Sequence, residues 1–352
     1  MTTRQEGGTN AAQLEPRRVL VTGGAGFIGS ALAWELNRRG CERLVIVDRL
    51  GESDKWRNLA PLRFEDYLEA EDLFSRLEAG ALGDFDLVLH MGACSATTER
   101  DATYLIRNNY EFTRRLGEWA LARSARFVYA SSAATYGAGE NGMSDRVDSP
   151  EALQRLRPLN AYGYSKHLYD LYAYRHGLLD RIVGLKFFNV FGPNEDHKGD
   201  MRSVVRKAYE QIRDRGFVQL FRSYRPEYED GKQERDFLYV KDAVRMVLHL
   251  ALREDAAGLF NLGSGRTHTW LDLTGAVFRA LGLEPQIEFI DMPEALRARY
   301  QYYTCADLGR LREAGYAEEP TPLVEAVDDY VNVYLEHDRR LGDEPTAPPA
   351  HE

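Results

Sequence analysis

Tyr162 and Lys166 are the two residues whose types and spacing most directly suggest chemistry. They lie four positions apart in Tyr162-Gly163-Tyr164-Ser165-Lys166, and this spacing places two side chains on one face of an α-helix. A phenol beside a fixed ammonium can transfer a proton. Because the unperturbed pKa of tyrosine is about 10, a phenolate near neutral pH needs roughly three units, about 4 kcal/mol, from neighbouring positive charge. A pair of solvated helix residues is the alternative.

A glycine-rich turn near the start of the chain predicts a dinucleotide site. Gly24, Gly26 and Gly29 match G-x-G-x-x-G between the strand-like run Val19–Thr22 and a helical pattern. In this context the glycines allow a tight turn, a close approach to pyrophosphate and close packing of the helix on the strand. A Walker phosphate loop is excluded because Ser30, with no lysine, follows Gly29.

Two further strand ends carry polar side chains. The apolar run Phe127–Ser132 predicts a buried parallel strand, and its terminal Ser131 or Ser132 could hydrogen-bond a reacting hydroxyl, a strand-end turn being the alternative. Asp48 ends the next strand after the glycine turn and would bind a ribose 2′-hydroxyl, which favours NAD. Arg49 and Lys55 could instead grip the 2′-phosphate of NADP.

Composition limits the class of protein. The chain has 352 residues, 44% of them hydrophobic, so two lobes are expected. Its formal net charge of −10 argues against a nucleic-acid partner and implies that an anionic substrate meets a local basic pocket. Three cysteines without a C-x-x-C pair predict a reducing compartment and no metal site. With no long apolar stretch and a polar start, we expect a cytoplasmic protein with neither membrane span nor signal peptide.

The order of elements predicts an α/β fold. Strand-like and helical patterns alternate as far as residue 188, which indicates a Rossmann-type doubly wound parallel sheet over residues 17–188. A smaller C-terminal α/β substrate lobe is predicted over 189–338, with a return to the first lobe near 235–255. In the smaller lobe we expect a helix at Met201–Arg215 and strands at Val218–Phe221, Phe237–Val240 and Leu259–Leu262. Residues 1–16 and 339–352 are predicted to be disordered tails.

Taken together, these motifs resemble the extended short-chain dehydrogenase/reductase family of nucleotide-sugar enzymes. The glycine turn, Ser132, and Tyr162 with Lys166 occur in the order of that family. Four further segments are similar to its ADP-glycero-manno-heptose 6-epimerases: Gly92–Glu99, Ala130–Gly137, Phe188–Pro193 and His197–Gly199. The resemblance runs from about Val19 to about Leu335.

The resemblance implies an epimerase that interconverts the D- and L-glycero forms of ADP-heptose. Tightly bound NADP would oxidise C6 transiently and reduce it again on the opposite face. Tyr162 and Lys198 would be the two acid/base groups, supported by Ser132 and Lys166. A phosphate contact or a solvated loop lysine is the alternative for Lys198. The implied cofactor residues are Gly23, Gly26, Phe27, Ile28, Gly29, Asp48, Arg49, Lys55, Met91, Gly92, Ala93, Cys94, Ser95, Asn108, Lys166, Val190 and Lys198.

The same resemblance implies a set of substrate residues: Ser132, Asn189, Asp200, Lys207, Phe221, Arg222, Ser223, Tyr224, Arg235 and Tyr300. Arg235 is the strongest candidate, because a planar guanidinium suits bidentate binding of a diphosphate. A structural salt bridge is the alternative for Arg235 and Lys207. Lys207 and Asp200 replace a histidine and a serine of some family members.

The resemblance also bears on the cofactor. The lysine that binds NADP in the family corresponds to Lys55, so NADP is favoured. A second basic position of the family corresponds to Ala70 here, so NAD is the alternative.

Three other functions compete with this one. Another nucleotide-sugar epimerase, such as a UDP-sugar 4-epimerase, shares the same motifs. A 4,6-dehydratase needs acidic residues directly after the strand-end hydroxyl, where this chain has Ala133 and Ala134. A non-catalytic NADP sensor would not need Tyr162. The family also implies a homo-oligomer, with a pentamer as one candidate state.

Overall fold

A seven-stranded parallel sheet is the centre of the molecule. The computed structural model describes residues 17–297 and 300–343. The sheet has the spatial order β11-β6-β5-β4-β1-β2-β3. Its strands are β1 (Val19–Thr22), β2 (Leu44–Asp48), β3 (Asp66–Glu69), β4 (Leu87–His90), β5 (Arg126–Ser132), β6 (Val183–Phe187) and β11 (Gly258–Leu262).

Six short strands pair outside the main sheet. β7 (Asn189–Phe191) pairs with β10 (Phe237–Tyr239), and β8 (Val218–Phe221) pairs with β13 (Ile287–Ile290), both in parallel. The two-residue strands β9 (Glu234–Arg235) and β12 (His268–Thr269) pair antiparallel.

Helices connect these strands. The α-helices are α1 (Phe27–Arg38), α2 (Leu73–Glu78), α3 (Ala102–Leu105), α4 (Phe112–Ala122), α5 (Pro150–Gln154), α6 (Ala161–Arg175), α7 (Val204–Arg215), α8 (Val240–Leu252), α9 (Trp270–Ala280), α10 (Glu294–Arg297), α11 (Gly309–Glu313) and α12 (Leu323–Asp328). Two π-helical segments occur at Ile106–Glu111 and Asp329–Tyr334, and 3-10 turns occur at Asp54–Asn58, Ala133–Tyr136, Asp196–Met201 and Leu335–His337.

The main sheet is buried on both faces, as its sequence predicts. β1, β2 and β4 are apolar runs that each end in one polar residue, and all of their residues are buried, which is typical of parallel strands covered by helices on both sides. The strand order reverses between β1 and β4, and ligands bind at such a reversal, outside the carboxyl ends of the strands. The predicted Rossmann-type doubly wound fold is confirmed.

Two predicted elements differ in the structure. The predicted helix over residues 201–215 begins only at Val204, because Ser203 caps it by accepting a hydrogen bond from the Arg206 amide at 3.3 Å. The strand predicted in the smaller lobe at Leu259–Leu262 is the edge strand β11 of the main sheet, where it pairs with β6. Local apolar pattern does not reveal such long-range pairing. The lobe boundary at residue 189 stays a prediction.

Residues 339–343 contact the rest of the described fold. Leu341 is fully buried, and its amide donates to Asn194 Oδ1 at 3.0 Å. Arg340 pairs with Asp196 at 3.1 Å. These contacts hold residues 339–343 against the fold, contrary to the prediction of a disordered tail there. The rest of that predicted tail, 344–352, and the predicted tail 1–16 lie outside the described residues. Within the described ranges, no helix has the length and apolar content needed to span a membrane.

Candidate active site

The glycine turn forms a cradle that fits a dinucleotide. A Cβ on Gly29 would lie 2.0 Å from the Gly23 carbonyl oxygen, and a Cβ on Gly23 would lie 2.6 Å from Gly92. Only glycine therefore allows β1, α1 and the chain after β4 to approach so closely. Gly26 precedes α1 without a side-chain cap, and no acidic residue occupies the first turn. The free amides at this helix N-terminus suit a pyrophosphate.

One cavity of about 410 Å³ lies beside this turn. His197 and Met201 are in its wall although sequence reasoning did not select them. The predicted site residues that line it are Gly23, Gly26, Phe27, Ile28, Gly29, Asp48, Lys55, Met91, Gly92, Ala93, Cys94, Ser95, Ser132, Tyr162, Lys166, Val190 and Lys198. Their catalytic and binding roles stay predictions.

Asp48, at the end of β2, is paired with one cation in the cavity. Its Oδ2 accepts from the Ala25 amide at 2.9 Å, and its Oδ1 accepts from Lys55 Nζ at 2.9 Å. Arg49 does not line the cavity; its guanidinium pairs with Glu71 and donates to Asn108 Oδ1 at 2.6 Å. Asn108 likewise lies outside the cavity wall. The negative charge of Asp48 is therefore balanced by Lys55 within the pocket.

Tyr162 and Ser132 are neighbours in the cavity wall. Tyr162 is in the first turn of α6, and Asn160 caps this helix by accepting from the Gly163 amide at 2.8 Å. Burial raises the pKa of Tyr162, whereas its hydrogen bond with Ser132 lowers it. Ser132 ends β5, and its Oγ also accepts from the Ala134 amide at 3.1 Å. The phenol thus needs added positive charge to act as a base near neutral pH.

Lys166 lies one turn further along α6 and is 4% exposed. Its Nζ donates to the Ala130 carbonyl at 2.7 Å. Burial lowers the pKa of Lys166 to about 8, while Asp170 and Cys94 act in the opposite direction. The strand that carries Ser132 therefore holds a buried ammonium on the side of α6 that lines the cavity.

Lys198 reaches the same cavity from the 3-10 turn Asp196–Met201. Its Nζ lies 4.9 Å from the centre of the Phe27 ring. Burial lowers the pKa of Lys198, Glu195 raises it and Lys207 lowers it. A lysine with a lowered pKa can exchange protons nearer neutral pH.

Arg235 is a buried cation held by aromatic rings. It is 5% exposed, and its guanidinium lies 5.2 Å from the Tyr300 ring centre and 5.6 Å from that of Trp270. Trp270 Nε1 donates to Tyr300 Oη at 2.7 Å. Arg235 has no carboxylate partner among the described residues, so the salt-bridge alternative finds no support. Tyr300 lines a second cavity of about 300 Å³, whose wall includes Thr97 and Ala134.

Of the predicted substrate residues only Ser132 and Tyr300 line one of these two cavities, so Arg235 and the others lie outside both cavity walls. Asn189 Nδ2 donates to the Asp236 carbonyl at 3.1 Å. Lys207 Nζ donates to the Asp200 carbonyl at 2.5 Å, and Arg222 pairs with Asp230 at 3.1 Å. The remaining three are Phe221 in β8, Ser223, whose amide donates to Asp230 Oδ1, and Tyr224, whose ring lies 3.8 Å from the guanidinium carbon of Arg297.

Asn109 is a structural residue of the site that sequence reasoning missed. It is buried in the π-helical segment 106–111, and its side chain pairs with both the amide and the carbonyl of Cys94 at 2.9 Å. It also donates to Ser165 Oγ at 3.0 Å. Asn109 therefore fixes the cavity loop after β4 to helix α6. The sequence carries no spacing signal for this role, although π-helical turns are frequent at functional sites.

Comparison with known proteins defines the class. A sequence profile of the NAD dependent epimerase/dehydratase family matches residues 19–263. The chain therefore belongs to this family, whose cofactor class is the nicotinamide dinucleotide that the glycine cradle fits.

Particular relatives narrow the comparison. The chain is 54% identical over 317 residues to the ADP-L-glycero-D-manno-heptose-6-epimerase of Nitratidesulfovibrio vulgaris, covering 90% of this chain and 97% of the relative. The solved structure of the Helicobacter pylori ADP-L-glycero-D-manno-heptose-6-epimerase has a TM-score of 0.76 and 25% identity, covering 92% and 97% of the two chains. The solved structure of a Methanobrevibacter ruminantium UDP-N-acetylglucosamine 4-epimerase has a TM-score of 0.77 and 23% identity, covering 92% of this chain and 100% of that chain. This likeness shows the shared fold alone.

Proposed function

We propose that the protein is an ADP-L-glycero-D-manno-heptose 6-epimerase that inverts C6 of the heptose. The observation that carries this proposal is one cavity lined by a dinucleotide cradle and by two proton-transferring side chains, Tyr162 and Lys198. Inversion of an unactivated carbon by oxidation and reduction uses these parts, because the proton leaves from one position of the oxygen and returns at another. The 54% identical relative supplies the choice of sugar nucleotide.

The residues divide the work of the reaction. The nicotinamide, when bound, supplies the reversible oxidation of C6. Tyr162 takes the proton of the C6 hydroxyl, and Ser132 holds that oxygen by hydrogen bonding. Lys166 adds the positive charge that favours the phenolate form of Tyr162. Lys198 serves the oxygen in its second orientation.

NADP is the proposed form of the cofactor. An uncompensated Asp48 would repel a 2′-phosphate, but Lys55 pairs with it at 2.9 Å. Arg49 follows Asp48 directly, but its guanidinium pairs with Glu71 outside the cavity. Lys55 is therefore the cation whose position supports a phosphorylated ribose over an unmodified one. The cytoplasmic location and the homo-oligomeric state stay predictions from the sequence.

The test is epimerisation without added cofactor. The purified protein, given ADP-D-glycero-manno-heptose, should produce the L-glycero form, followed by NMR of the heptose, with no sustained absorbance of reduced nicotinamide. Acid-released cofactor should be NADP by mass spectrometry. UDP-glucose and UDP-galactose are the comparison substrates. Faster turnover of either UDP-sugar, or stoichiometric accumulation of reduced cofactor, would contradict the proposal.

A further inference from the structure

Asp170 is a fully buried carboxylate on the helix that carries Tyr162 and Lys166. It follows Lys166 by four residues and Tyr162 by eight, so all three lie along one stripe of α6. Its Oδ1 accepts from the Tyr129 hydroxyl at 2.8 Å, and its Oδ2 accepts from Ser131 Oγ at 2.9 Å. The carboxylate therefore fastens α6 to the end of β5.

The two partners of Asp170 on β5 flank the residue that holds Lys166. Tyr129 and Ser131 are the neighbours of Ala130, whose carbonyl accepts from Lys166 Nζ at 2.7 Å. β4 ends opposite Tyr129, so Ala130 lies beyond the pairing of β4 with β5. Asp170 thus supports the short segment of strand that orients Lys166 and continues into Ser132.

Lys186 completes a buried ion pair with this carboxylate. Lys186 Nζ lies 2.7 Å from Asp170 Oδ2, and Lys186 is 1% exposed. Its Nζ also donates to Thr135 Oγ1 at 2.6 Å, and Thr135 donates to the Ser132 carbonyl at 2.8 Å. A buried ion pair is weak evidence for stability, because apolar residues of similar volume often stabilise a fold as well. A role beside the catalytic helix accounts better for these contacts.

We propose that Asp170 is a positioning residue for epimerisation, which fixes the Ala130 carbonyl that orients Lys166 and supplies the negative charge that keeps Lys166 an ammonium. Lys186 balances this charge and so limits its effect. The inference rests on the proposed function, in which the ammonium of Lys166 assists Tyr162.

The charges around Lys166 come from three elements. Asp170 faces it from the same helix, and Cys94 faces it from the loop after β4. His90 on β4 is neutral near pH 7, because burial first and Lys166 second lower its pKa to about 3. On its other side Asp170 faces Lys186 and Tyr129. Burial lowers the pKa of His167, and the negative charge of Asp170 opposes this.

These charges fix the sign of the expected effects. Burial lowers the pKa of Lys166 to about 8 and Asp170 opposes this, so its ammonium is lost as the pH rises through about 8. Removing the negative charge in Asp170→Asn must lower this pKa further. In Lys186→Met the Asp170 carboxylate keeps its hydrogen bonds from Tyr129 and Ser131 but loses its balancing cation, so we expect the pKa of Lys166 to rise. Both substitutions break the same buried pair and both destabilise the fold, so only an electrostatic role predicts shifts in opposite directions.

The experiment follows Lys166 directly in the holoenzyme. The chain has seven lysines, so ¹³Cε-labelled lysine gives few NMR signals, and Lys166→Arg identifies its own. We expect the Lys166 midpoint to move down by about one pH unit in Asp170→Asn and up in Lys186→Met. The alkaline limb of the kcat profile should follow each midpoint. The proposal would be overturned if the Lys166 midpoints of the two variants shifted in the same direction or did not shift. It would also be overturned if the alkaline limb of the kcat profile did not shift with them.

A second comparison applies if Asp170→Asn does not yield folded protein. The double variant Asp170→Asn with Lys186→Met lacks both buried charges, and loss of a whole pair is tolerated better than loss of one member. Its Lys166 midpoint must lie below that of Lys186→Met alone, and equal midpoints would overturn the proposal. The NMR titration needs no substrate, so it remains decisive even if the sugar nucleotide of the proposed function is wrong.

Discussion

At the scale of single residues, the two candidate acid/base groups start from opposite directions. Burial raises the pKa of Tyr162 and lowers that of Lys198. Both shifts favour the neutral form, because burial penalises charge of either sign. Burial therefore opposes the phenolate that Tyr162 needs in order to take a hydroxyl proton, and the positive charge of Lys166 must help to offset that cost.

Tyr162→Phe and Lys198→Met should each lower kcat for epimerisation by roughly 10²–10⁴-fold, because each removes one proton-transferring group from an inversion that uses two. An aldehyde analogue, whose disproportionation needs no defined second face, should remain a substrate for each single variant and not for the double variant. Tyr164→Phe is the matched control, since this phenol is 52% exposed on the same helix. Normal epimerisation by Lys198→Met with weaker substrate binding would instead make Lys198 a phosphate ligand.

At the scale of elements, short-range patterns were predictable and long-range partnerships were not. The glycine turn between β1 and α1 follows from spacing alone, because its geometry depends on adjacent residues. The start of α7 depends on Ser203, whose amide and hydroxyl each donate a hydrogen bond to the Glu195 carboxylate at 2.5 Å. By contrast, β11 pairs with a strand outside its local sequence window, and Asn109 likewise pairs with Cys94 outside its own window. The apolar pattern of neighbouring residues does not encode such pairings.

Gly29→Ala tests the cradle as an element. Its Cβ would meet the Gly23 carbonyl at 2.0 Å, so the turn must open or α1 must move off β1. We expect loss of the copurified nicotinamide cofactor and a lower melting temperature. Gly275→Ala in α9 is the matched control, because no atom lies within 4 Å of its Cβ and alanine should stabilise that helix by about 0.5–1 kcal/mol. Full cofactor content in Gly29→Ala would contradict the assigned cradle.

At the scale of the whole molecule, the residues predicted to bind the substrate and those predicted to transfer protons lie in different parts of the chain. Tyr162 belongs to the helix packed on the main sheet, whereas Arg235 belongs to the short strand β9 that pairs with β12. With a formal net charge of −10, the protein as a whole repels an anionic sugar nucleotide. We therefore expect local cations, with Arg235 as the predicted one, to supply the attraction for a diphosphate.

Arg235→Met should then raise KM while leaving kcat close to that of the parent enzyme. Loss of a charged hydrogen-bonding partner costs about 1.5–3 kcal/mol, which corresponds to a KM roughly tenfold to a hundredfold higher. Methionine keeps an apolar side chain against Trp270 and Tyr300, so thermal stability should change little. Arg253→Met is the control, because Arg253 is partly exposed, pairs with Asp255 and is not among the predicted substrate residues. A large fall in melting temperature at unchanged KM would show that Arg235 supports the fold and does not bind the substrate.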